Sequence, residues 1–71
     1  MRAEIIKCIN GVAVCLNKER AAEAADAIDQ IEGVNVIEIR YSRTGNQAKI
    51  ICYDQIKDTA EEEIRKVLKQ L

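Results

Sequence analysis

The chain has no histidine, no tryptophan, no phenylalanine and no proline. Without histidine it lacks the side chain that most often moves protons near neutral pH, and it has no imidazole to ligate a metal. Its aromatics are Tyr41 and Tyr53 alone, too few for a platform on which nucleic-acid bases stack. Neither sign of charge is in excess: 11 basic residues against 12 acidic ones give a net charge of -1. Phosphate binding usually needs a clear positive surplus, so the balance argues against nucleic acid as the main partner. No apolar run reaches the length of a membrane span. The first residues, Met1-Arg2-Ala3-Glu4, do not read as a secretory signal. The cysteines, Cys8, Cys15 and Cys52, are few and odd in number. Such a set is not the framework of a disulfide-stapled secreted domain, and a reducing cytosol is the expected location.

Seventy-one residues, 48% hydrophobic and 32% charged, make one domain spanning 1–71. A chain of this size has room for two layers around one thin core.

Glu4 to Leu16 is rich in isoleucine and valine and reads as strand. Asn10-Gly11 interrupts it. As a two-residue turn, that pair makes a hairpin in which Ile9 faces Val12, Lys7 faces Val14 and Ile5 faces Leu16. Ile6, Cys8, Ala13 and Cys15 then share the other face. The competing reading is one long strand with a bulge at Gly11.

Asn17 is a good N-cap, and Lys18 to Ile31 reads as helix. Ala21, Ala24, Ala25, Ile28 and Ile31 recur at helical spacing, and Gly33 terminates the element. Val34 to Tyr41 alternates Ile37, Ile39 and Tyr41 with Glu38 and Arg40, a strand with one covered face. After a turn over Ser42 to Asn46, Gln47 to Tyr53 forms the next strand. Ile51 and Tyr53 are assigned there to the core, Ile50 and Cys52 to the other side. A second helix opens with a capping box, Thr59 and Glu62. Its apolar side is Ile56, Ile64, Val67, Leu68 and Leu71, and Glu61–Arg65 and Glu62–Lys66 are spaced to pair.

The order β(β)αββα predicts an α+β, ferredoxin-like two-layer sandwich. Two helices cover one face of an antiparallel sheet, and the last strand of that plan is missing. The second face of the sheet has no cover of its own. Val36, Ile50, Cys52 and Ile6 are expected there, with Arg40 and Lys49 as its charges and Arg43 and Lys57 nearby. An uncovered apolar sheet face implies a homo-oligomer or a partner protein.

Gly33 to Ile39, then Thr44-Gly45, then Ala48 to Asp54 resembles the heavy-metal-associated domain family, and the likeness runs from Lys18 to Leu71. Members that carry copper(I) hold it with a Cys-x-x-Cys at the start of the first helix. The matching positions here are Asn17 and Arg20. The resemblance therefore implies the family's scaffold without its thiol pair, used for contact with another protein.

No cofactor is expected on this reading, and no enzyme activity. Asp26, Asp29 and Glu32, and Glu61 to Glu63, fall on helix exteriors with no cleft between them. The alternative is a copper(I) binder using Cys8 and Cys15, which the hairpin reading sets diagonally on one face.

Overall fold

The computed structural model describes residues 2–54 and 60–71. Strands β1 (Glu4–Cys8) and β2 (Gly11–Asn17) form a hairpin. A 3-10 turn (Lys18–Arg20) leads into helix α1 (Ala21–Asp29). Strands β3 (Val34–Tyr41) and β4 (Gln47–Asp54) and helix α2 (Ala60–Lys69) follow. The four strands make one antiparallel sheet in the order β1-β2-β4-β3, and the two helices pack on it. This is the ferredoxin-like sandwich. Thr59, Ile56 and Lys57 lie outside the described residues.

The final strand of the ferredoxin-like plan would pair antiparallel with the strand that precedes the first helix. Here β1 pairs antiparallel with β2 at that place. β1 thus occupies the place in the sheet that the final strand of that plan takes. Ala3 and Ile5 border one groove with Leu68 and Lys69, and the Arg20 guanidinium donates to the Leu71 carbonyl at 3.1 Å.

The hairpin turns one residue earlier than Asn10-Gly11. Cys8 pairs with Gly11, which leaves Ile9 and Asn10 as the turn. Asn10 supplies the left-handed backbone, φ 61°, which asparagine tolerates better than most residues. Gly11 is needed inside the strand instead. A Cβ there would overlap the carbonyl oxygen of Cys52 on β4 and lie 3.2 Å from its carbonyl carbon. Lys7 therefore faces Val12 rather than Val14, and Ile5 faces Val14 rather than Leu16. The slide is an even number of residues, so every side chain keeps its expected face.

On the helix side of the sheet, Val12, Val14 and Leu16 of β2 meet Ile50 and Cys52 of β4 and Val34 of β3. Ala24, Ala25 and Ile28 come down from α1, and Ala60, Ile64 and Leu68 from α2. The alanine stripe of α1 is buried as its spacing predicts. Asn17 caps the 3-10 turn, its side chain accepting from Glu19 N at 2.8 Å. Gly33 takes φ 83° after α1. Glu61 pairs with Arg65 at 3.1 Å. Lys66 pairs with Glu63 at 3.5 Å rather than with Glu62.

Two assignments are corrected. Ile50 and Cys52, expected on the open face, are 0% and 2% exposed within the core, and Val36 packs against that core as well. Ile51 and Tyr53, expected inside, take the open face. There are two causes: β4 is apolar on both sides, so its alternation does not say which is covered, and β3 breaks its own period. A bulge falls between Val36 and Glu38, so Ile37 is passed over, 63% exposed, while Val36 and Ile39 both turn inward. A bulge adds one residue to one strand and breaks period-two reasoning across it. The Asp29 carboxylate accepts from Val36 N at 3.0 Å and so ties the bulged strand to the end of α1.

Candidate interaction face

The face of the sheet turned away from the helices is built from three cross-strand rows. The first is Glu4, Cys15, Lys49 and Arg40. The second is Ile6, Ala13, Ile51 and Glu38. The third is Cys8, Gly11, Tyr53 and Asn35. Ile6 and Tyr53 are 41% and 42% exposed, and Ile51 is half-buried. Ala13, flanked by Ile6 and Ile51, is only 4% exposed. The centre of this face is apolar and one end of it is charged. Among the described residues no helix covers it, since α1 and α2 pack on the opposite side.

Arg40 and Lys49 stand on the open face, opposite each other across β3 and β4. The Arg40 Nε donates to Glu38 Oε2 at 2.9 Å. That hydrogen bond and the carboxylate charge beside it hold the guanidinium pKa above its ordinary value. Neither Glu4 nor Lys49 has an ion-pair partner among the described residues.

The thiols do not come together. Cys8 and Cys15 share the open face, but Cys8 sits opposite Gly11 and Cys15 opposite Glu4. Four residues of strand separate them, roughly 13 Å at the usual rise. The diagonal contact expected from an Asn10-Gly11 turn is lost with the earlier turn. Metal–sulfur bonds of about 2.3 Å do not bridge that gap within one copy. Cys52 lies on the other face, beneath the helices. Burial pushes its thiol pKa up to about 11, and the negative charge of Asp29 adds to the shift. It is a core side chain, 2% exposed. No group of three or more cysteine, aspartate or glutamate residues gathers as a metal site among the described residues.

The positions that the family resemblance marks for thiols have other work. Asn17 caps the 3-10 turn, and Arg20 pairs with Glu23 at 2.7 Å. Asp26, Asp29 and Glu32 are exposed, and Asp29 is spent on the backbone of β3. A groove of about 540 Å³ opens at the charged end of the sheet, lined by Arg2, Glu4, Cys15, Asn17 and Gln47 among others. No helix among the described residues is long and apolar enough to cross a membrane.

Ile6 was expected on this face and stands there; Tyr53 escaped the sequence reading, as did the role of Gly11. One signal for it was present: the residues of β2 at alternate positions, Gly11, Ala13 and Cys15, are all small.

No family model, no curated protein and no solved structure matches this chain.

Proposed function

We propose that this chain is a small non-enzymatic protein-interaction or regulatory domain that works through the open face of its sheet and self-associates there. The observation that carries this reading is the exposure of Ile6 and Tyr53 around Ile51 and Ala13 on a face that the helices leave bare. Apolar side chains grouped on one surface favour a protein partner, because burial removes them from water. The charged rim of Glu4, Lys49, Arg40 and Glu38 supplies polar pairing around that centre. The likeness of Gly33 to Ile39 and of Ala48 to Asp54 to heavy-metal-associated domains supports a scaffold of that kind put to contact rather than to metal transfer. The separation of Cys8 from Cys15 weighs the same way.

Sedimentation velocity over roughly 10–1,000 μM is the test, a range set by the modest size of the face. The wild type is expected to shift from monomer to dimer. Ile51→Lys places a charge at the centre of the face while leaving the core untouched. It is expected to remain monomeric and folded, with a thermal midpoint lowered by roughly 4–8 °C for the partial burial lost at this position. A wild type that stays monomeric throughout overturns self-association. A dimer indifferent to Ile51→Lys overturns the choice of face.

A further inference from the structure

The open face has a shape as well as a character. Along β2 its residues are Gly11, Ala13 and Cys15. Along the adjacent β4 they are Tyr53, Ile51 and Lys49, each directly opposite one of the small ones. One central strand is a trough and its neighbour a ridge. The outer strands differ in charge at one end, with Glu4 on β1 and Arg40 on β3 in the same row.

Resting on self-association through this face, we infer that the two copies stack sheet on sheet about a two-fold axis parallel to the strands. Such an axis lays β2 of each copy over β4 of the other, and β1 over β3. Tyr53 then meets Gly11, Ile51 meets Ala13, and Lys49 meets Cys15 of the second copy, each contact occurring twice. The ridge of one sheet enters the trough of the other. Glu4, which has no ion-pair partner among the described residues of its own copy, faces Arg40 of the second. Arg40 gives only its Nε to Glu38, so the rest of the guanidinium fork is open to a second carboxylate. Aligned sheets cross at about 30° and lie about 10 Å apart, a gap that long side chains at the rim can span.

The other two-fold, perpendicular to the strands through the middle row, fails on the same register. It sets Ile51 on Ile51, Ala13 on Ala13 and Glu38 on Glu38. Ridge meets ridge, and like charges face each other.

The size of the face sets the strength. Four strands spaced about 4.8 Å and about 7 residues long at about 3.3 Å rise give a footprint near 450 Å² per copy. A pair burying roughly 1,000 Å² sits at the weak end of specific interfaces, so the dimer is reversible and concentration-dependent.

Charge reversal tests the arrangement. Glu4→Lys and Arg40→Glu each create a like pair twice in their own homodimer. Each is expected to weaken dimerisation by at least about tenfold. An equal mixture of the two variants should recover it, because in the mixed dimer both reversed charges meet opposite ones. The double variant Glu4→Lys/Arg40→Glu should recover it too. Both positions are exposed, and thermal midpoints verify the fold. Should Arg40→Glu crowd Glu38, the whole set is repeated on a Glu38→Gln background. Single variants that dimerise like the wild type, or a mixture no better than its components, overturn the strand-parallel two-fold. If Ile51→Lys still abolishes the dimer in that case, the interaction face itself survives. A wild type that never dimerises sinks both.

Discussion

Gly11→Ala is expected to cost about 3 kcal/mol or more, measured as the shift in denaturant midpoint at constant slope. A domain of this length holds roughly 4–11 kcal/mol in total, so the variant is expected to be largely unfolded or close to it. The cause is a clash that cannot relax. Any Cβ at this position overlaps the Cys52 carbonyl oxygen, and that oxygen belongs to the backbone of the central strand β4. Relief requires β2 and β4 to separate where they pair from Gly11–Tyr53 to Asn17–Gln47. The same substitution also separates the two views of the hairpin. Were Gly11 a left-handed turn residue, alanine would cost only the conformational penalty, about 1–2 kcal/mol. Asn10→Gly is the control. It relieves a positive φ and should leave stability within about 1 kcal/mol of wild type.

Ile50→Ala should destabilise the fold by about 2–5 kcal/mol, the range for large-to-small changes at fully buried sites. Ile50 is 0% exposed, lies between Val14 and Ile39 across the sheet and belongs to the core on the helix side. Its neighbour Ile51 points the other way and is half-buried. Ile51→Ala should cost about 1 kcal/mol, the value of partial apolar burial. The pair of variants reads the orientation of β4 directly. A larger loss at Ile51 than at Ile50 would reverse the assignment of faces.

That orientation marks where the sequence stopped being legible. The helix pattern of Ala21, Ala24, Ala25 and Ile28, the Asn17 cap and the Gly33 stop are local signals, and each sits where local physics puts it. β3 and β4 were equally plain as strands, while Glu4 to Leu16 left a hairpin and one bulged strand both open. The facing of β3 and β4 was not plain, for two physical reasons. β4 carries apolar residues on both sides, Ile50 and Cys52 against Ile51 and Tyr53, so alternation alone cannot say which side is covered. In β3 the bulge at Ile37 breaks the period within the strand, and no glycine flags it. Asn10-Gly11 misled differently. The pair is a strong turn signal, yet the glycine serves a close approach to β4, a contact from more than forty residues away in sequence. Arg40 and Lys49 read correctly as open-face charges because a strand residue with a long charged side chain has one acceptable side. Cys8 and Cys15 kept their face but lost their proximity, since distance along a hairpin depends on the turn and facing depends only on parity.

The central claim is that this domain meets a second copy through the bare face of its sheet. The most direct measurement is a dilution series of backbone amide spectra from millimolar to low micromolar concentration. The account predicts concentration-dependent shifts at Ala13, Cys15, Lys49, Ile51 and Tyr53, with Ala24, Ile28 and Ile64 on the buried sides of α1 and α2 unmoved. Shifts confined to α1 and α2, or spectra that do not change across the series, would contradict it.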